Sequence, residues 1–326
     1  MPRVIACSMT GKDCSIRRQL QRSVSLPCTS TQCPRAAKDS ARRGARRPAS
    51  ADFCLTLPTR REAGAKHLTV LPTARVVQCD VHDPATLAQL MAGQDAVISL
   101  VGILKGGEGD PYGKGFARAH VELPRKIAAA AKAAGVRRVL HVSALKTSAD
   151  APSGYLRSKA DGEAALRDAG LDLTLFRPSV IFGRGDSFLT LFARMAAIAP
   201  FFPLAGADAR FQPVWVEDVA ATVADSLLRA DSIGAAYDLC GPTQYSLREL
   251  VSYAAAVAGH PRFIIGLPEA IAWFQAWAME FIPNGPMTRD NVRSMRVPSV
   301  CEGGCTLPFG RVATALEVVA PTYLRG

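Results

Sequence analysis

From about residue 53 onward, short apolar runs alternate with longer stretches in which apolar residues recur every three or four positions. The runs predict strands at Leu55–Thr59, Arg75–Cys79, Asp95–Val101, Arg138–Ser143 and Leu171–Phe182. The periodic stretches predict helices at Pro84–Ala92, at Gly115–Ala134 with Gly135 as the stop, and at Gly154–Ala169. Strands that are apolar throughout, each followed by a helix, need both sheet faces covered. The expected fold is therefore α/β, with a doubly wound parallel sheet.

Beyond Gly185 the alternation loosens. Helices are expected at Phe188–Ala199, at Val219–Ala230 with Glu217 or Asp218 as cap, and from a Ser246 cap to Gly259. Short strands are expected at Pro213–Val216 and Tyr237–Cys240. This divides the chain into an N-terminal stretch outside the pattern, 1–53, a parallel-sheet core, 54–185, and a smaller substrate or interaction lobe, 186–326. No internal repeat is visible. Phe263–Ile282 carries Trp273, Phe274, Trp277 and Phe281 at spacings of three and four, which predicts an amphipathic helix. Its aromatic face suits a core or interface contact. A membrane-surface contact is the sharper alternative, although the Lys/Arg border such helices favour is missing. Pro268, Glu269, Gln275 and Glu280 interrupt the run, so no transmembrane span is expected.

Charge changes the picture only at the N-terminus. The net charge is +11, but residues 1–50 hold 11 Lys and Arg against 2 acidic residues. The rest of the chain is close to neutral, which argues against a nucleic-acid surface. Five of the 9 cysteines also fall within the first 54 residues. They form no even framework, so a secreted disulfide scaffold is not expected. Cys301 and Cys305 lack a second ligand pair or a nearby His, and no metal is expected there.

Candidate chemistry centres on Y-L-R-S-K. Tyr155 and Lys159 are four residues apart, hence on one helix face. A neighbouring ammonium favours a phenolate, and a tyrosine so placed passes a proton to or from a carbonyl or hydroxyl. Ser143 ends the apolar run V-L-H-V-S-A and so belongs at the carboxyl end of a strand, where open α/β sheets bind ligands. Ser143, Tyr155 and Lys159 are the candidate catalytic residues.

Seven segments occur in order from about Leu55 to the C-terminus: P-T-R-R (58–61), C-D-V-H-D (79–83), D-A-V-I-S-L-V-G (95–102), R-V-L-H-V-S-A (138–144), Y-L-R-S-K (155–159), F-R-P-S-V-I-F-G (176–183) and P-V-W-V-E-D-V-A (213–220). Together they resemble the extended short-chain dehydrogenase/reductase superfamily in its atypical, epimerase/dehydratase-like branch. The likeness is greatest to the nucleotide-binding alpha-subcomplex subunit 9 family of respiratory complex I and its bacterial relatives. The resemblance implies cofactor roles for Arg60, Asp80, Val81, Val101, Gly102, Lys159, Pro178 and Val180. Arg60 would take the 2′-phosphate of NADP(H), which favours that cofactor over NAD(H). Asp80 and Val81 would border the adenine. Val101 and Gly102 would let the backbone approach ribose and phosphates. Lys159 would bind the nicotinamide ribose, Pro178 and Val180 would lie near the nicotinamide, and Ser143 would orient a substrate carbonyl. Asp218 would cap a helix rather than act chemically.

The same resemblance implies respiratory-chain or quinone-related partners at a membrane surface. It leaves two functional readings open: a structural NAD(P)H-binding subunit or assembly factor, and an active NAD(P)-dependent reductase or epimerase. The expected location is cytoplasmic, at the periphery of the inner membrane of a bacterium. It is the mitochondrial matrix if residues 1–53 are a presequence.

One departure stands out. This fold should open with a strand, a glycine-rich turn and a helix, yet residues 1–54 contain only Gly11 and Gly44 and no apolar periodicity. A transit peptide and an out-of-frame translation both account for the Arg- and Ser-rich composition. The second also accounts for the cysteines and the missing turn. On either reading the central strand of the sheet is expected to be absent, with poor folding or weak dinucleotide binding as the consequence.

Overall fold

The computed structural model describes residues 2–7, 53–60, 73–198, 201–282, 285–303 and 306–325. Its centre is a sheet of seven strands: β1 Arg3–Cys7, β2 Cys54–Thr59, β3 Ala74–Gln78, β4 Ala96–Ser99, β5 Arg138–Val142, β6 Asp172–Pro178 and β7 Ala236–Leu239. Their order is β3-β2-β1-β4-β5-β6-β7, every neighbouring pair parallel. This is the strand order of dinucleotide-binding sheets, with its reversal between β1 and β4. The predicted fold class is the observed one.

The central strand is not absent. Arg3–Cys7 fills it, with Val4, Ile5, Ala6 and Cys7 all buried. Ile5 faces Thr56 on one side and Val97 on the other. Five residues are enough because a middle strand is bonded along both edges and buried on both faces. In the sequence that signal is diluted by the Arg- and Ser-rich residues after it. The turn and helix expected to follow β1 lie outside the described residues.

Helices cover both faces. On one face, α1 Pro84–Met91 and α2 bury Leu87, Met91, Leu123 and Ile127 against Ile5, Val97 and Val139. The segment α2 comprises the turn Lys114–Phe116, a π-helical stretch Ala117–Glu122 and an α-helix Leu123–Ala133. It is followed by α3 Gly154–Arg167. On the other face, the helix Val216–Leu227 sets Val219, Ala220 and Val223 against Leu57, Ile98 and Leu140. The outer strand β7 comes from beyond Gly185, so the sheet is completed by a C-terminal segment.

Several boundaries differ from the sequence reading. The run Leu171–Phe182 is two strands, since Ile181–Phe182 leaves the main sheet to pair with Val214–Trp215. The helix after Trp215 starts at Val216 rather than Val219, and Asp218 does not cap it. Its carboxylate instead accepts the Thr314 N–H at 2.7 Å and the Thr314 hydroxyl at 3.2 Å, pinning the C-terminal segment. The stretch Phe263–Ile282 is likewise composite. Phe263–Gly266 is a strand paired with Phe201–Leu204, and only Glu269–Glu280 is helical. The Ser246 cap is present, and its own N–H donates in return to the Glu249 carboxylate. Cys301 is disulfide-bonded to Cys240, a pairing the cysteine spacing did not disclose. Cys305 lies outside the described residues.

Candidate active site at the carboxyl edge of the sheet

Ser143 follows β5 directly, and its N–H donates to the Phe176 carbonyl at 2.7 Å. Two residues on, Leu145 N–H donates to the Pro178 carbonyl at 3.0 Å, so pairing with β6 extends past the strand end. The chain then runs to Ser153, whose hydroxyl accepts from Leu156 N–H and caps α3. Two more of the orphan N–H groups of this helix are taken by the Asp290 carboxylate: Gly154 at 2.7 Å and Tyr155 at 3.0 Å. Asp290 belongs to the short helix Arg289–Ser294, itself begun by a Thr288–Asn291 capping box. A segment from the far end of the chain therefore fixes the first turn of the helix that carries Tyr155.

Lys159 is 3% exposed. Its ammonium donates to the Val101 carbonyl at 3.2 Å and the Val142 carbonyl at 3.1 Å. It thus bridges the carboxyl ends of β4 and β5, next to the reversal of strand order. A Cβ at Gly102 would lie 3.5 Å from Nζ, so the backbone of residues 101–102 runs directly beside this charge. A buried ammonium is tolerated only with such partners. Tyr155, one turn earlier, is half-buried. Its ring meets Phe116 and His120 edge-on, with centroids 6.1 and 5.5 Å apart.

His120, on the π-helical stretch, is a second organising residue that spacing gave no sign of. Its Nε2 accepts from Ile103 N–H at 3.0 Å, so the ring proton is on Nδ1. Nδ1 donates to Ser158 Oγ at 2.9 Å, and Ser158 in turn donates to the Tyr155 carbonyl at 2.8 Å. The network ties the loop after β4 to the turn carrying Tyr155. Burial, with Lys159 and His141 adding repulsion, holds the His120 pKa well below the ordinary histidine value. His141 is buried with Nδ1 3.1 Å from Ser99 Oγ, and burial plus Lys159 lowers it to about 3. Close approach of α3 to α2 requires Gly162: a Cβ there would sit 2.0 Å from the His120 carbonyl oxygen.

Glu163 completes the buried charge pattern. Burial raises its pKa, but the Arg177 fork, at 2.9 and 2.6 Å, and Thr147 outweigh this and hold it at about 2. The buried Ser143 hydroxyl is turned toward this carboxylate without a well-formed hydrogen bond to it.

The other sequence-predicted residues line the same edge in different ways. Arg60 is exposed at the end of β2. Asp80, after β3, accepts from His82 N–H at 2.9 Å, and its carboxylate is 3.8 Å from Arg118. Val81 and Val101 have their side chains in the core, leaving only backbone for a ligand. Pro178 closes β6 and is buried, while half-buried Val180 accepts from Val214 N–H at 2.9 Å. Ser143, Tyr155, Lys159, Val101, Gly102 and Pro178 thus share the carboxyl ends of β4, β5 and β6. Arg60 and Asp80 stand at the carboxyl ends of β2 and β3.

Comparison with known proteins agrees with this fold. Residues 41–188 match the model of an NAD(P)H-binding family, a match that begins before the expected boundary at residue 54. The NADH dehydrogenase [ubiquinone] 1 alpha subcomplex subunit 9, mitochondrial, of Rattus norvegicus is 32% identical over 236 residues, 69% of this chain and 59% of that protein. The chain therefore spans little more than half the length of that relative. A ceramide reductase of Caulobacter vibrioides is 31% identical over 210 residues, 62% of this chain and 64% of that protein. Among solved structures, an NADPH-dependent quinone oxidoreductase of Escherichia coli complexed with NADPH superposes with a TM-score of 0.68. That match covers 98% of this chain and 99% of that one at 20% identity, a likeness of fold alone. The chain carries an NAD(P)H-binding domain and is homologous to the alpha subcomplex subunit 9 proteins of NADH dehydrogenase.

Proposed function

We propose that this chain is an NADP(H)-dependent oxidoreductase acting on a carbonyl or hydroxyl compound, with Tyr155 as proton donor and acceptor. The observation that carries this reading is the Lys159 ammonium, fixed between the Val101 and Val142 carbonyls one helical turn from Tyr155. Bound NAD(P)H supplies the hydride chemistry. Lys159 binds the nicotinamide ribose and favours the ionised form of Tyr155. Tyr155 gives its phenolic proton to the substrate oxygen, and Ser143 positions that oxygen by a hydrogen bond once its hydroxyl turns from Glu163. Val101, Gly102, Pro178 and Val180 flank the ribose and nicotinamide, and Asp80 and Val81 the adenine. Arg60 at the end of β2 favours NADP(H), since a guanidinium forks onto a phosphate.

A second reading is a nucleotide-binding subunit that stabilises respiratory-chain or quinone-related partners at a membrane surface. The likeness to subunit 9 favours it, as does the helix Glu269–Glu280, which exposes Phe274 and Trp277 with Phe281 just beyond. No described helix is long and apolar enough to cross a membrane, and this reading places the chain at the periphery of the inner membrane. Replacing Tyr155 with Phe separates the two. An oxidoreductase loses turnover by about 10²-fold or more while NADPH still binds. A structural binder keeps both its cofactor and its partner, and has no turnover to lose.

A further inference from the structure

Two residues in contact with Tyr155 line a cavity of about 450 Å³, within the range of small-molecule sites. The Phe116 ring meets the Tyr155 ring edge-on, and the Asp290 carboxylate accepts the Tyr155 N–H. The other apolar walls are Met279, Phe281, Ile282 and Met287. Two glycines shape the space. A Cβ at Gly106 would fall 2.2 Å from the Phe116 ring, and one at Gly285 would fall 2.1 Å from the Met279 carbonyl oxygen. Gly106 therefore lets its loop lie flat on the aromatic ring, and Gly285 lets the chain after the helix turn back tightly.

The charged residues that reach this cavity are paired. Glu280 is held by the Arg289 fork at 2.9 to 3.2 Å, Glu108 is bridged by Arg293 at 3.0 Å, and the Lys105 ammonium donates to the Gly285 carbonyl. Asp290 is engaged with the N–H groups of Gly154 and Tyr155. What remains for a guest is an apolar, methionine-rich surface, which adapts to flexible chains. The mouth is rimmed by exposed Phe281 and Ile282.

We infer that this cavity is a subsite for the unbranched hydrocarbon chain of an amphiphilic substrate whose carbonyl or hydroxyl end lies at Tyr155. The inference rests on the proposed role of Tyr155 as the reacting group. It deepens that role by assigning the substrate class: a medium-chain aliphatic ketone, aldehyde or alcohol rather than a sugar nucleotide. The charged residues of this cavity are already paired with protein groups, which favours a hydrocarbon guest over a polyhydroxylated one.

The test is a binding series read by calorimetry, independent of turnover. Straight-chain 2-ketones from 2-butanone to 2-decanone are titrated into the full chain in the presence of NADPH. Each methylene entering an apolar site strengthens binding roughly three- to fourfold. The expected result is a Kd that falls by about this factor per carbon and then levels off. Met287→Phe and, separately, Met279→Phe narrow the cavity and should bring the levelling to a shorter chain, with NADPH affinity unchanged. A Kd independent of chain length in the unaltered protein overturns the subsite, whatever the variants do. So does a levelling point unmoved in both variants while they remain folded by circular dichroism. Chain-length-dependent binding with no NADPH oxidation supports the subsite and removes the oxidoreductase reading instead.

Discussion

The carboxylate of Asp290 accepts the backbone N–H of Tyr155 at 3.0 Å across 135 positions of sequence. This bond, with its companion to Gly154, puts a negative charge at the positive end of the helix that carries Tyr155 and Lys159. It also makes the geometry of the candidate site depend on a segment remote from the sheet.

Asp290→Ala should therefore destabilise the protein by about 1 to 2 kcal/mol, the usual cost of losing a helix cap. Asp290→Asn, which keeps an acceptor, should cost less. Urea unfolding of the three proteins checks the ranking. Equal midpoints for Ala and wild type would mean that the helix needs no cap from this segment.

Stability should fall as the pH drops through the histidine range. His120 and His141 are both held neutral by burial, with Lys159 adding repulsion, and His141 is lowered to about 3. Their folded pKa values lie below the unfolded value near 6.5, so below that pH the unfolded chain binds more protons. The stabilisation is complete above about pH 6.5 and is lost on acidification, by about 1.4 kcal/mol per pH unit for each histidine. Urea midpoints at pH 7.5 and 5.5 measure the slope. His141→Gln should reduce it, and an unchanged slope would assign the loss to other groups.

Glu163→Ala should be among the most damaging single changes, at about 3 to 5 kcal/mol, because it leaves the Arg177 guanidinium without its buried counter-charge. In the intact protein the carboxylate, held at about 2, contributes stability above its unfolded pKa near 4.5. That contribution disappears as the pH approaches 2. Thermal melts at neutral pH, comparing Glu163→Ala with the double change that also replaces Arg177 by Met, are the check. The double variant should recover part of the loss.

Gly162→Ala probes the contact between the two helices of the site. A Cβ 2.0 Å from the His120 carbonyl oxygen forces them apart, an overpacking that costs about 1 to 3 kcal/mol. Because His120 also holds Ile103 N–H, NADPH affinity should weaken together with stability. Fluorescence titration with NADPH reads the first and urea unfolding the second. Loss of stability with cofactor affinity intact would separate the helix contact from the loop.

Arg60→Glu tests cofactor choice. If the guanidinium meets the 2′-phosphate, NADPH binding should drop by at least about tenfold and NADH binding should change little. Parallel titrations with the two nucleotides decide it.

The amino-acid sequence was sufficient for the alternating strands and helices after residue 53, for the parallel sheet they imply, and for Tyr155 and Lys159 on one face. Those features are local: period, run length and four-residue spacing depend on near neighbours in the chain. Arg3–Cys7 was missed because five residues identify a central strand only through the two strands beside them. Asp218 looked like a cap by position, yet it bonds to Thr314, 96 residues away. His120, Glu163 and Asp290 showed no pattern of their own, since a buried polar residue is recognised by its partners. The tertiary structure alone decided these, because partner choice among buried charges follows from which segments the folded sheet brings together. The linear order of residues does not contain that information in any local form.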